Sequence, residues 1–359
     1  MTVPAPVAAT ATPPASPVRR SRLGLDLTLL AIVGVLLVGA VAAGIGALYR
    51  EFYSPTAFVE RYLSLLGEGR AADALAVPGV APDSSELSAA GLPATASEAL
   101  LRQAALSTLS DVKTVSEVQN GDVTRVTVSY VAGGHAGTAS FDVAANGWIG
   151  VAPAWRFAHT PVAVLDLTVR GSMSFSVNGF EVDKRQVSVD GVDADPLAPV
   201  PMLVFSPGLY RVAVDTPISS TPGVDVLADK PLADVPLDLQ AKPTDEFISV
   251  VQDRVDGFLA DCATQKVLQP TGCPFGYVVT DRIQGDPKWS IADGPKITVE
   301  PDGAHWEIPD TRAVAHITVD VVSLYDGSVQ HVSRDVPFVV GGEITVLPDG
   351  TASIRVDGQ

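Results

Sequence analysis

An uncharged apolar run near the start of the chain limits its architecture more than any other feature. The run covers residues 27–48, and three arginines precede it within residues 19–22. A helix of this length rises about 33 Å, enough to cross a bilayer's hydrocarbon core of about 30 Å. The sequence therefore predicts a transmembrane helix over residues 27–48, with the lipid bilayer as its partner.

The basic residues predict the orientation of this helix. Cytoplasmic flanks carry an excess of Lys and Arg, and the arginine cluster lies on the N-terminal side. Residues 1–26 are therefore predicted to be a cytoplasmic tail, disordered because residues 1–18 are uncharged and rich in Pro, Ala and Thr. The expected location is the cell membrane, with a single span and the C-terminal domains extracytoplasmic.

A cleaved signal peptide is the alternative interpretation of this segment. Ala40-Val41-Ala42 has the small-x-small form that signal peptidase accepts, so cleavage after Ala42 stays open. The apolar run continues to Leu48, however, which favours an uncleaved anchor. The small residues Gly39, Ala43 and Ala47 recur every four positions and are compatible with a helix contact in a homodimer.

Composition limits the function classes that remain. The chain has 359 residues, which predicts two or three domains, and its 24 basic residues are outnumbered by 41 acidic ones. This balance disfavours nucleic acid as a partner, because phosphate neutralisation needs the opposite sign. Beyond the span there are 21 basic and 40 acidic residues, so plain electrostatic adhesion to an anionic surface is also disfavoured.

The two cysteines agree with export from the cytoplasm. Cys262 and Cys273 flank a Pro-Thr-Gly turn and belong to neither a CxxC pair nor a zinc-ligand pattern. In an oxidising compartment the natural expectation is a local disulfide; two buried free thiols are the alternative.

Residues 52–159 are expected to form an α+β domain. Ser54-Pro55 predicts the start of a helix that ends near Gly67, and further helices are predicted over 71–77 and 97–109. The pattern then changes to strict alternation, with hairpin turns predicted at Asn120-Gly121 and Asn146-Gly147. This order predicts helices followed by an antiparallel meander.

Residues 161–240 read as a small all-β domain, and residues 243–359 as a second α+β domain. The former has a turn at Asn178-Gly179 and ends in a proline-rich connector, suited to edge strands. In the latter, Thr244 is predicted to cap a helix. Strands follow, with Pro-Asp-Gly turns at 301–303 and 348–350.

The order of these segments resembles known envelope proteins. Residues 54–75 (SPTAFVERYLSLLGEGRAADAL) resemble the opening helix of nuclear-transport-factor-like domains, in which helices pack inside a curved sheet to form a cone. Val177-Asn178-Gly179 and Pro207-Gly208-Leu209-Tyr210 resemble PEGA-type β-domains. The whole layout is similar to teicoplanin-resistance-associated membrane proteins, which implies an α+β chain with two cone-like domains flanking the small β-domain. No functional residue transfers from this resemblance.

Few residues suggest chemistry. His316, Thr318 and Asp320 fall on one face of a predicted strand, where a His–Asp pair suits acid–base work, but a solvated strand face is the favoured interpretation. Asp190, Asp193 and Asp195 miss the EF-hand pattern and are expected to form a solvated loop rather than a calcium site. The aromatic residues of a strand expected to close the first cone are read as core rather than as a ligand platform: Trp148, Trp155 and Phe157.

Two function classes are compatible with these features. The favoured one is a non-catalytic envelope protein whose extracytoplasmic domains bind, sense or scaffold, with another envelope protein or a wall component as partner. The other is an extracytoplasmic cone-fold enzyme or small-ligand carrier. The sequence holds no GxSxG, Walker or GxGxxG motif, and no catalytic, cofactor-binding or metal-binding residues are assigned.

Overall fold

The computed structural model describes residues 23–150, 152–346 and 352–358. The fold is α+β, as the sequence predicts, and strands account for 46% of it. Residues 1–22 of the predicted tail and the second Pro-Asp-Gly turn lie outside the described residues.

The N-terminal apolar segment forms a long helix, α1. It spans Leu23–Leu48 and continues into a π-helical turn, Tyr49–Tyr53, so residues 23–26 are helical rather than part of a disordered tail. Its window Leu27–Gly44 has a mean hydropathy of 2.5 and is not buried against the rest of the chain. An apolar helix without protein cover needs another apolar environment, which makes α1 a candidate membrane span or signal sequence.

Short helices open the first unit. They are α2 (Pro55–Gly67), α3 (Ala71–Leu75) and α4 (Ser84–Ala89). The start of α2 confirms the prediction, because the Ser54 hydroxyl accepts a hydrogen bond from the Ala57 amide at 3.1 Å and Pro55 occupies the first turn. Its inward side chains, Val59, Tyr62 and Leu63, are completely buried.

An antiparallel meander follows these helices. Its strands, in spatial order, are β1 (Leu109–Asn120), β2 (Val123–Ala132), β3 (His135–Ile149) and β4 (Ala152–Phe157). Burial alternates along β2, so Val126, Val128 and Tyr130 enter the same core as the inward face of α2. The register Asn120↔Val123 confirms the predicted Asn120-Gly121 turn.

Two local predictions in this unit are wrong. Residues 97–109 form two short 3₁₀ turns, Glu98–Leu100 and Gln103–Ala105, instead of a helix. The backbone at Ser97 pairs with the strand around Met202, which draws this segment into extended structure. Asn146-Gly147 is an irregularity within β3 rather than a hairpin turn.

The middle unit is built from short strands in two main sheets. The sheet order β11-β9-β6-β7 is antiparallel, whereas β12-β5-β8 contains a parallel β12–β5 pair. The strands are β5 (Val162–Arg170), β6 (Ser174–Val177), β7 (Phe180–Asp183), β8 (Val200–Phe205), β9 (Gly208–Ala213), β10 (Ser219–Ser220), β11 (Val224–Ala228) and β12 (Asp234–Gln240), with one helical turn, α5 (Lys184–Val187). Pro236 lies on edge strand β12, which confirms the edge-strand prediction.

The first and middle units share buried side chains. Val162, Val164 and Phe205, from β5 and β8, belong to the core that α2 and the meander form. The Tyr62 hydroxyl lies 3.3 Å from both the Pro161 and Ser206 carbonyl oxygens, which share its one proton across the same boundary. Residues on both sides of the predicted boundary near residue 160 therefore belong to one hydrophobic core.

The last unit sets one helix against a long sheet. Its elements are β13 (Lys242–Pro243), α6 (Asp245–Ala263), β14 (Arg282–Asp293), β15 (Glu300–Asp302), β16 (His305–Val322), β17 (Val329–Val346) and β18 (Ala352–Gly358). The sheet order is β14-β16-β17-β18, with β15 beside β16. Thr244 caps α6 as predicted, accepting from the Phe247 amide at 3.1 Å.

Contacts also join the last unit to the middle one. The Thr244 hydroxyl donates to the Pro217 carbonyl at 2.6 Å, next to the β10–β13 pair. The buried indole of Trp306 packs on Gly171, where an added Cβ would lie 3.2 Å from Cζ2.

Candidate functional site

The outward face of the last sheet carries the polar cluster closest to a catalytic arrangement. Burial alternates along β16, where Ala315, Ile317 and Val319 enter the core that includes α6. His316, Thr318 and Asp320 therefore fall on the opposite face, as the sequence predicts.

The register of β16 and β17 decides the partners on this face. His316 stands opposite Asp335, and its Nδ1 lies 2.6 Å from Asp335 Oδ1. Its Nε2 lies 3.0 Å from the hydroxyl of Ser333. Further along, the Nδ1 of His331 lies 2.7 Å from Asp320 Oδ1. We call these five residues the His–Asp face.

His316 and Asp320, which the sequence offers as an alternative acid–base pair, do not bond to each other. Each of the two residues instead bonds across to β17, because side chains directly opposite on neighbouring strands lie closer than second neighbours along one strand. Ser333, Asp335 and the role of His331 were not predicted from the sequence. The sequence shows that these three residues alternate along one strand, but pairing them with residues of β16 requires the register between β16 and β17.

Ser333, His316 and Asp335 have the connectivity of an acyl-transfer triad. A histidine placed between a hydroxyl and a carboxylate can take the hydroxyl proton while the carboxylate orients the ring. In this arrangement Ser333 would be the nucleophile, His316 the general base and Asp335 the orienting group. The geometry alone therefore admits hydrolytic chemistry.

The surroundings of this triad differ from those of an efficient active site. The side chain of Asp335 is 68% exposed and that of His316 is 32% exposed, so water competes for every hydrogen bond. Catalytic triads bury the carboxylate and exclude water around the developing oxyanion. The exposed cross-strand hydrogen bonds fit a solvated sheet face better than a nucleophilic centre.

A groove of about 440 Å³ runs along β3, beside the loop before β12. Polar side chains from the first and middle units line it, among them Asp142, His159, Asp229 and Lys230. Arg125 donates two hydrogen bonds of 2.8 Å to Asp142 and holds the pKa of that carboxyl below its usual range. The groove thus offers fixed charges of both signs at the junction of the first two units.

The loop that carries Asp190, Asp193 and Asp195, here called the acidic segment, is held at one end by a buried lysine that was not predicted from the sequence. Lys184 is fully buried, and its ammonium group donates to the backbone carbonyls of Val169 and Pro196. Burial lowers the pKa of Lys184 to about 8. These hydrogen bonds fix the segment at its Pro196 end.

The remaining predicted residues occupy structural positions. Within the acidic segment, Asp195 accepts from the Leu197 amide at 2.8 Å, and the described residues contain no group of three or more candidate metal ligands. Of the predicted core aromatics, Phe157 is buried, whereas Trp148 is 72% exposed, so the expectation that it is core is wrong. Trp155 donates to the Tyr53 carbonyl at 2.8 Å.

The cysteine pair lies at the end of α6. The sulfur atoms of Cys262 and Cys273 are 1.99 Å apart and their Cα atoms 5.8 Å apart, as in a disulfide bond. The bond closes a loop in which the Val267 carbonyl accepts from the Trp289 indole at 2.8 Å.

Comparison with known proteins gives no relative from which a role could be transferred. No family model, no curated protein and no solved structure matches this chain.

Proposed function

We propose that the chain is a single-pass cell-membrane protein whose strand-rich units lie outside the cytoplasm and bind, sense or scaffold in the cell envelope. The observation that carries this proposal is α1, an apolar helix that nothing else in the described chain covers. The arginines before it favour a cytoplasmic N-terminus, and the cysteine pair at disulfide distance suits an oxidising compartment.

The finer fold is part of this proposal. Helix α2 against an antiparallel meander, and α6 against the last sheet, suit cone-like domains on either side of the PEGA-like middle unit. The polar groove and the exposed His–Asp face are surfaces suited to recognition. We expect an envelope protein or a wall component as partner, and a pull-down from solubilised membranes with mass spectrometry would identify it.

A second candidate function is extracytoplasmic hydrolysis. The hydrogen bonds from Ser333 through His316 to Asp335 favour it, since they have the connectivity that activates a serine. The exposure of Asp335 favours the non-catalytic function instead.

Labelling with a fluorophosphonate, which reacts with activated serines, separates the two functions. Ser290 is the matched control, because it lies opposite the same His316 on β14, the other neighbouring strand. We expect the full-length protein, Ser333→Ala and Ser290→Ala to show the same background labelling. We also expect Ser333→Ala to complement a deletion strain as the wild type does. Labelling that Ser333→Ala abolishes and Ser290→Ala retains would place hydrolysis first.

A further inference from the structure

The first unit has a membrane-proximal end, which the path of the chain identifies. Helix α2 leads away from α1, and β1 returns along it in the opposite direction. Gly67, at the end of α2, lies against Leu109, at the start of β1, whereas Thr56, near the start of α2, donates to Glu117. The Asn120 end of β1 is therefore on the side where α1 meets the unit.

The β3–β4 hairpin extends beyond that end. Strand β3 runs in the same direction as β1, and its Ala144 pairs with Val123, the first residue of β2. From there β3 continues to Ile149 with β4 as its neighbour. Trp148 is four residues beyond Ala144, which is about 13 Å at about 3.3 Å per residue. The hairpin is fastened to the chain leaving α1 through the hydrogen bond from Trp155 to the Tyr53 carbonyl.

The composition of this hairpin is unusual for a surface of this chain. Residues 143–155 contain no charged side chain, although the chain outside the span is strongly acidic. Trp148 is 72% exposed, and Phe52 and Tyr53, beside the end of α1, are 51% and 47% exposed. Aromatic side chains of this kind are enriched at the boundary between lipid and water.

From this arrangement we propose that the β3–β4 hairpin rests on the outer surface of the bilayer, with Trp148 at the level of the lipid headgroups. The inference rests on the proposed membrane anchor, and it adds a second contact that holds the first unit against the lipid. Lipid is the favoured occupant because α1 fixes the hairpin within a few residues of the bilayer, which makes its local concentration there high. The absence of charge over residues 143–155 lowers the cost of leaving water.

Fluorescence quenching by brominated lipid tests this proposal on the full-length chain in phosphatidylcholine nanodiscs. The other tryptophans are partly or fully buried, so Trp148 is the one that reports on the surface of the first unit. Lipid brominated near the headgroup should lower the emission of the wild type, and Trp148→Phe should remove that loss. As a control, Tyr325→Trp in the Trp148→Phe background places an exposed tryptophan on the last unit and should show no such loss.

The outcomes separate this proposal from the anchor on which it rests. A chain that does not enter nanodiscs contradicts both the anchor and the hairpin contact. If the chain enters but Trp148→Phe is quenched as strongly as the wild type, only the hairpin contact is wrong. Equal emission of the wild type in brominated and ordinary lipid would also contradict the hairpin contact. It would show that water or another protein surface covers Trp148.

Discussion

At the scale of single residues, Lys184 should give the protein a specific pH dependence. Burial lowers its pKa to about 8 from the ordinary 10.5. Between these two pH values the unfolded chain holds a proton that the folded chain has released, so this residue makes the free energy of unfolding rise with pH. In Lys184→Met that contribution is absent. Between pH 8 and 10.5 the free energy of unfolding of the wild type should therefore rise relative to that of the variant.

Urea unfolding of the full chain in detergent, monitored by tryptophan fluorescence at several pH values, measures this difference. The exposed Lys230→Met is the matched control and should follow the wild type across the whole range. A stability difference for Lys184→Met that stays constant from pH 8 to 10.5 would show that Lys184 keeps its proton when folded.

Asn178 combines a turn with contacts between elements. Its φ of 50° is left-handed, and the next residue, Gly179, has a φ of 84°, as the tight β6–β7 turn requires. The Asn178 side-chain amide donates to the carbonyls of Ala105 and Leu209, at 2.9 and 3.0 Å, and accepts from the Arg211 amide at 2.8 Å. The hairpin is thereby fixed to the first unit and to β9.

Asn178→Ala should lower the free energy of unfolding by about 2–4 kcal/mol, from three lost hydrogen bonds and a strained backbone. Asn120→Ala is the matched control: Asn120 also precedes a glycine in a hairpin but is exposed, and its substitution should cost less than about 1 kcal/mol. Chemical denaturation of both variants measures the difference. Equal losses would mean that Asn178 acts only as a turn residue.

At the scale of secondary structure, the loop after α6 should depend on its disulfide. Replacing Cys262 and Cys273 with serine should destabilise the last unit by about 2–3 kcal/mol, since the closed loop is short and the bond restricts the unfolded chain. Peptide mapping without reductant should find the two residues linked within one chain. Free thiols in unreduced protein would contradict both the bond and the oxidising compartment.

The sequence predicts elements well where one local signal is sufficient. Ser54-Pro55 and Thr244 mark real helix starts, and alternation along β2 marks its buried face. A helix is expected over 97–109 because Leu101, Ala105 and Leu109 recur every four residues, but these side chains enter two different cores. Ala105 belongs to the core of the middle unit, whereas Leu101 and Leu109 belong to that of the first, and Ser97 pairs with Met202. The parallel β12–β5 pair has no local signal, since residues distant in the sequence create it.

The candidate site follows the same rule. Alternation predicts which residues of β16 face outward, so His316 and Asp320 could be chosen from the sequence. Their partners on β17 depend on the register of the β16–β17 pair, which forms only on folding. The sequence alone therefore gives no reason to pair Ser333 with His316. The buried contacts of Lys184 also depend on distant backbone, from β5 and the acidic segment.

At the scale of the whole molecule, the chain consists of one N-terminal apolar helix followed by three units, each of which contacts the next. The first and middle units share a core, and the Trp306–Gly171 and Thr244–Pro217 contacts join the middle unit to the last. A partner bound at the groove would therefore touch two units that are packed together. This continuity suits a scaffold or binding protein held at a membrane.

The proposed function depends above all on α1 anchoring the chain with residues 49–359 outside the cytoplasm, and protease added to intact spheroplasts tests this topology. With one tag on the N-terminus and another on the C-terminus, we expect the C-terminal tag to be digested while the N-terminal tag stays protected until the membrane is opened. A protected C-terminal tag would contradict this topology. Recovery of a soluble chain that begins at Ala43 would contradict the anchor and support a cleaved signal peptide.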